Sequence, residues 1–260
     1  MDAKLPLDFE LRPPRHAFSP RQVARPAELW RLFQEAAVLA STARGWPPPR
    51  YLAEGVAFLV TGMTARHHRE VHYGETLTAR TWLRDFRRGI LSKRQVELWR
   101  GPQLVAECTQ QWVHVDASMK PSRASAQLAE AFPQDELRSP VVTLPEPTTP
   151  FEGRTSSYRF QAWQSWMDPL GHANHPAYLD YCDEGLARAA ASAGRDPHGL
   201  VPVGERITWK AGIVAGDEVV VDTRMVGLTE QGDSVLKHQI GRWAKATTVR
   251  RGDLSELFRP

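Results

Sequence analysis

Cysteine is scarce in this chain of 260 residues: there are two, Cys108 and Cys182, with no CxxC spacing. That excludes a disulfide framework and a cysteine-based zinc site, and the apolar patterning around both predicts reduced core thiols of a cytoplasmic protein. Long hydrophobic runs are missing too. Nothing approaches the roughly 20 apolar residues of a membrane span, and the first residues form no apolar signal segment. Neither sign of charge dominates. The net charge of +3 suits an anionic ligand such as a nucleotide phosphate or an acidic carrier protein, whereas nucleic acid would require a basic stripe on a recognisable module. His67, His68 and His72 lie close in sequence without Cys, Asp or Glu at ligand spacing, so they read as surface or core histidines and not as a metal site.

What is present is centred on Met167-Asp-Pro-Leu-Gly-His-Ala-Asn-His-Pro-Ala-Tyr178 and the run that follows it to Gly194. Pro176 suits a first helical turn, because its missing N–H would be unpaired there in any case. His175 or Asn174 is then the expected cap. Leu179, Cys182, Leu186, Ala189 or Ala190, and Ala193 recur at three- and four-residue intervals and predict one apolar stripe, with Asp180, Asp183, Glu184 and Arg188 elsewhere. The N–H groups at such a helix start attract negative charge, so Asp168 would stand beside a site able to hold an oxyanion.

The remaining length allows one large or two small domains. Phe9 to Phe18, interrupted by Pro13 and Pro14, is at best an edge strand. Pro26 to Arg44 carries a helical stripe ended by Gly45, and Val71 to Val115 turns to strand alternation broken at Gly74, Gly89 and Gly101. Residues 121–153 read as a proline-rich linker around one short helix, Ala126–Ala131. The same order then returns: a strand near Tyr158 to Trp166, the helix after Pro176, and strands from Arg206 to Val249. Arg25-Pro-Ala-Glu-Leu29 matches His175-Pro-Ala-Tyr-Leu179, and Tyr73-Gly-Glu75 matches Ala215-Gly-Asp217. A repeat of this length is a duplicated domain and not a solenoid unit. The expected architecture is α+β, two copies of a long helix covered by a curved antiparallel sheet, over 1–120 and 154–260.

The turn Asp168-Pro-Leu-Gly-His-Ala-Asn-His-Pro-Ala-Tyr178 resembles the signature of the 4-hydroxybenzoyl-CoA thioesterase family. It is also similar to the turn of plant-type acyl-carrier-protein thioesterases, through His172-Ala-Asn-His175. Both have the hotdog fold, so the resemblance implies tandem hotdog domains and hydrolysis of an acyl-CoA or acyl-carrier-protein thioester without cofactor or metal. It implies Asp168 as nucleophile or general base, and the His175 backbone N–H as the donor to the thioester carbonyl. Leu170 stands where the plant-type family has a catalytic Asn, and the Val214 region lacks its Cys or Glu. These departures favour a single-aspartate mechanism, with His172 and Asn174 in support. Related hotdog proteins use a helix Glu, which makes Glu184 the reserve base. A homodimer of double-hotdog chains is an assembly this fold allows.

Each position also has a structural reading. An Asp before a helix is commonly a cap or Asx-turn residue, and His172 and Asn174 more often lock a turn than do chemistry. Arg87 and Arg88, in the Arg84 to Arg94 cluster with Lys93, form a charged hairpin that could meet CoA phosphates or an acidic carrier. Trp163, Trp166 and Trp209 read as core or pocket wall. With Pro26 and Pro176 as register, Phe18 takes the place of Asp168 and Gln34 that of Glu184. The first copy would then supply only pocket wall, from Phe33, Phe58 and Trp82, with Tyr178 contacting substrate from the second. Two other functions fit the same fold: a hydratase or dehydratase using His172, and a non-catalytic acyl-ligand binder.

Overall fold

The computed structural model describes residues 6–135 and 139–259, in two compact units that divide between Val142 and Thr143, except that Ser19–Arg21 and Arg25–Ala27 group with the second. In the first unit, β1 (Leu7–Leu11) is followed by α1 (Pro26–Ala43), α2 (Pro48–Ala53), β2 (Val56–His67), β3 (Leu77–Arg87), β4 (Leu91–Arg100), β5 (Gln103–Asp116) and α3 (Ala126–Ala131). Its strands pair antiparallel in the order β1-β3-β4-β5-β2. β1 is the expected edge strand. β2 lies outside the strand region read from the sequence, because its run Val-Ala-Phe-Leu-Val lacks period-two alternation.

The second unit contains β6 (Thr149–Pro150), β7 (Ser156–Gln161), α4 (Ala177–Ser192), β8 (Pro202–Trp209), β9 (Glu218–Leu228), β10 (Ser234–Ile240) and β11 (Ala244–Arg250). Here the order is β8-β11-β10-β9, and both β6 and β7 pair with β9. Helix α4 buries Leu179, Cys182, Leu186, Ala189 and Ala190 as the stripe predicts, together with Tyr178 and Tyr181, while Ala193 is exposed. Gly194, with φ +72°, ends the helix, and Arg195 N–H returns to the Ala190 carbonyl at 2.9 Å. Gly185 lets the helix press onto the strands: a Cβ there would lie 3.0 Å from Tyr158 Cε1. Leu186, Ala190, Met225, Leu236, Leu257 and Phe258 close the core of this unit.

The 121–153 linker is corrected on both sides. Leu128 of α3 and Phe132 pack against Trp46 and Leu83, and Val142 N–H donates to Thr109 Oγ1 at 2.8 Å, so this stretch belongs to the first unit. Thr149 and Pro150 are already a strand of the second unit. Glu136, Leu137 and Arg138 lie outside the described residues.

The duplication is visible bond by bond. His72 N–H donates to Glu75 Oε2 at 3.0 Å, as Val214 N–H does to Asp217 Oδ2 at 2.9 Å, around Gly74 and Gly216 at φ +95° and +87°. The Pro26–Pro176 register is nevertheless one residue out. Phe18 bridges Ala24 as Met167 bridges Ala173, and the 3-10 turns Arg15–Ala17 and Gln164–Trp166 precede them. Ala24 N–H donates to Val71 O at 2.9 Å and Ala173 N–H to Ile213 O at 2.7 Å. The buried helix faces agree: Leu29, Trp30, Leu32, Phe33 and Ala36 correspond to Tyr178, Leu179, Tyr181, Cys182 and Gly185. Phe18 is therefore the counterpart of Met167, and Ser19 stands in the place of Asp168. At the place of Glu184 the first copy has Glu35, not Gln34. The shared Pro-Ala pair misled the alignment because helix starts tolerate proline at neighbouring positions.

Candidate active site

The turn before α4 is built by its own backbone. Asp168 N–H donates to His172 O at 2.8 Å, Gly171 N–H to Asp168 O at 2.9 Å, and Asn174 N–H to Trp166 O at 2.9 Å. Gly171, at φ +81°, supplies a conformation that other residues resist. The Asp168 side chain joins this scaffold through one oxygen: Oδ1 accepts the Leu170 N–H at 2.8 Å, an Asx-turn. His172 Nδ1 stands 3.9 Å from the same oxygen, the two side chains being 31% and 20% exposed. Among the described residues Oδ2 has no hydrogen-bond partner. The carboxylate is thus oriented by one oxygen and open at the other.

Helix α4 begins differently from the expectation. Its N-cap is Pro176, with φ −64° and ψ −24°, and no side chain caps it. Ala177, Tyr178 and Leu179 donate instead to the carbonyls of Asn174, His175 and Pro176, at 2.9, 3.4 and 3.0 Å. The helix therefore enters through a 3-10 turn, a common way to satisfy orphan donors. Asn174 does not lock the turn with its carbonyl, since its Oδ1 is enclosed without a hydrogen-bond partner. The His175 ring lies edge-on to Trp209 with centroids 5.6 Å apart.

Two features that sequence reasoning missed hold the turn to the loop after β8. Tyr178 is buried, accepts the Ile213 N–H at 2.9 Å and donates to Ala211 O at 3.5 Å. Burial pushes its pKa up to about 12, with the nearby Asp168 and Asp217 carboxylates adding to the rise, so the hydroxyl stays protonated and can serve both bonds. Tyr178, expected from the sequence to contact substrate, thus clamps the turn to this loop. Gly212 is the second feature, because a Cβ there would lie 2.7 Å from the His172 ring. The only advance sign was a glycine inside an otherwise strand-like stretch.

Other expectations place less well. Glu184 is exposed and ion-paired with Arg188 at 2.6 Å, whose guanidinium lies over Tyr158. At 1.5 Å per residue it stands about 10 Å along the helix from its first turn. Trp163 is not core but 63% exposed, stacked on Trp166 with centroids 5.0 Å apart. Phe33, Phe58, Trp82, Arg87 and Arg88 all belong to the first unit. Phe33 and Trp82 are buried, but Trp82 shares its row with Gln95 and Thr109, while Phe58 shares its face with His114 and Gln110. Trp82 and Phe58 lie on opposite faces of the sheet and cannot line one wall. Arg87 and Arg88 form the exposed hairpin, with Arg87 3.7 Å from Asp85, whereas Arg94 of the same cluster is buried. Cys108 and Cys182 are buried, and burial holds both thiols well above their usual pKa.

Comparison with known proteins adds to this geometry. Residues 170–235 match the thioesterase superfamily model, beginning two positions after Asp168. No curated protein sequence matches the chain. Among solved structures, one described as an oleoyl thioesterase from Lactobacillus plantarum is 16% identical, with a TM-score of 0.78 over 98% of this chain and 97% of that one. An acyl-ACP thioesterase from Bacteroides thetaiotaomicron is 12% identical, with a TM-score of 0.71 over 95% and 98%. The 12:0-ACP thioesterase from Umbellularia californica, also 12% identical, gives 0.71 over 96% and 95%. The chain has the fold of these proteins along nearly its whole length, a tandem pair of hotdog domains, and its second domain contains the segment that matches the thioesterase superfamily model.

Proposed function

We propose that the chain hydrolyses acyl thioesters, acyl-CoA or acyl-carrier protein, with Asp168 as the reacting carboxylate. The observation that carries this reading is the division of labour in that side chain: Oδ1 is tied to the Leu170 N–H, and Oδ2 is left for chemistry. The superfamily match beside it and the acyl-ACP thioesterases of like fold support the substrate class.

A thioester is already activated, so the protein must chiefly position a base or nucleophile and stabilise the charge that develops on oxygen. As general base, Asp168 takes a proton from water while the water oxygen bonds the acyl carbon. The C–S bond then breaks, and the thiolate leaves and is protonated to the thiol. As nucleophile, the carboxylate itself bonds the acyl carbon, expels the thiolate, and releases the acid when water cleaves the resulting anhydride. In either route the His175 backbone N–H, one residue before the N-cap, would donate to the carbonyl oxygen at the positive end of α4. His172, packed on Gly212, supports the turn and faces the carboxylate.

The test is thiol release across a panel of acyl-CoA and acyl-carrier-protein substrates. Asn at position 168 keeps the Oδ1 acceptor of the Asx-turn while removing the charge, so Asp168→Asn should fold normally and lose about 10²- to 10⁴-fold in turnover. Unchanged turnover in Asp168→Asn would remove Asp168 from the chemistry, and a wild type that releases thiol from no member of the panel would favour a non-catalytic acyl binder. Single-turnover reaction in ¹⁸O-labelled water separates the two routes, since label in Asp168 marks the anhydride. The His172 geometry leaves a hydratase as the second reading; it would hydrate an enoyl thioester without releasing thiol and would be abolished in His172→Ala.

A further inference from the structure

The interior of the first hotdog domain holds a charge that no carboxylate among the described residues balances. Arg94 is 8% exposed; among the described residues its one hydrogen bond runs from Nη1 to Thr81 Oγ1 at 3.2 Å, and the guanidinium lies 5.8 Å from the Phe132 ring centroid. Among the described residues no carboxylate pairs with it. The nearby Asp85 is taken by Lys93 and Arg87, each at 3.7 Å. A buried guanidinium has five donors and ordinarily finds an anion, because taking the charge out of water unpaired is strongly unfavourable. Burial, with Arg44 nearby, draws its pKa down to about 10, which leaves it fully charged at neutral pH.

A second, independent oddity sits beside it. Gln110 is the cross-strand partner of Arg94 on β5, is 0% exposed, and has neither its amide nitrogen nor its amide oxygen hydrogen-bonded. Leaving such a group without a partner is unfavourable, so native interiors rarely contain one without a reason. The row Leu83, Arg94, Gln110, Met63 thus presents a cation and an unsatisfied amide between two apolar neighbours. Tyr51 stands nearby, its hydroxyl 2.8 Å from Ser41 Oγ.

The second domain shows that the fold does not require this. Its equivalent row is Met225, Leu236, Thr248, Glu205, with the same bulge one step away, and Leu236 is wholly buried in the apolar core where the first domain has Arg94. A leucine suffices structurally. Arginine and glutamine at these places call for a ligand.

We infer that the Arg94–Gln110 pair is a binding site for the carboxylate of a hydrophobic organic acid. The guanidinium supplies the counter-charge and a planar fork for one or both carboxylate oxygens, the Gln110 amide nitrogen donates to the other, and the flanking Leu83, Met63 and Phe132 side chains suit an apolar body. Such an acid would arrive free, as a reaction product does.

The probes are sodium octanoate and sodium benzoate, with 1-octanol and benzyl alcohol as uncharged counterparts, titrated into the full chain by calorimetry and by the rise in thermal midpoint. The carboxylates should bind saturably and at least about tenfold more tightly than the alcohols, the difference a charge-assisted hydrogen bond supplies. Arg94→Leu, the residue the second domain uses, should fold with an unchanged or raised midpoint and lose that preference. Gln110→Leu should weaken it in part. Asp168→Asn should bind as the wild type does, which keeps this result separate from the fate of the thioesterase reading. Equal binding of carboxylates and alcohols by the wild type overturns the inference, as does an Arg94→Leu protein that keeps the preference. Should Arg94→Leu fail to fold, Gln110→Leu and the wild-type comparison decide it by the same criteria.

Discussion

Asp168 was legible in the sequence as an acid before a helix, but the sequence could not tell a turn residue from a reacting group. The structure makes it a turn residue through Oδ1 and, among the described residues, leaves Oδ2 without a hydrogen-bond partner. Glu184 was equally visible as a carboxylate on the same helix, yet its burial depends on the helix's rotation against strands far away in sequence, and it faces outward to Arg188. Glu184→Gln is accordingly expected to leave thiol release within about twofold of wild type, since surface pairs at four-residue spacing contribute little. A loss as deep as that of Asp168→Asn would return Glu184 to the chemistry. Arg94 is the residue that patterning hid most completely: it stands in a run of basic residues, and only strand pairing reveals that its side chain points inward.

At the scale of elements, the long helices, the edge strand and most of the sheet follow from periodicity, whereas the clamp between the turn and the loop after β8 does not. It joins Tyr178 to Ala211 and Ile213, and such pairings across distant segments have no local signature. Tyr178→Phe removes the acceptor of the Ile213 N–H, and denaturant unfolding should show a loss of about 1–3 kcal/mol with turnover reduced as the turn loosens. Gly212→Ala acts on the other side of the same joint. Its Cβ would stand 2.7 Å from the His172 ring, so the ring or the loop must move. We expect reduced kcat in that variant and a shifted His172 imidazole signal in proton NMR; an undisturbed signal would mean the loop yields at no expense to the turn.

For the molecule as a whole, duplication was readable from two short shared words, but its register was not, because a proline at a helix start can slide by one position without harm. Hydrogen bonds fix what the words left ambiguous. The second domain also carries a response to acidity. His238 is enclosed between Thr223 and Thr248, at 2.8 and 2.9 Å, and burial, reinforced by the Arg250 charge, lowers its pKa to about 3. Above pH 6.5 the imidazole is neutral folded or unfolded and contributes no pH dependence. Between pH 6.5 and 3 the unfolded chain takes up a proton that the folded one refuses, so stability declines by about 1.4 kcal/mol per pH unit from this group. Unfolding free energies measured from pH 7.5 to 4.5 should fall more steeply for wild type than for His238→Gln; parallel curves would refute the assignment.

The irregularity in the strand pairing has a historical meaning. The ladder skips Arg84 between Leu83 and Asp85, and it skips Val226 between Met225 and Gly227, at equivalent places in the two domains. Nothing in strand pairing demands a kink at that spot, and such kinks persist in lineages once acquired. The two halves therefore inherited it from a single ancestral domain, before one copy came to hold serine and the other aspartate at the start of the turn.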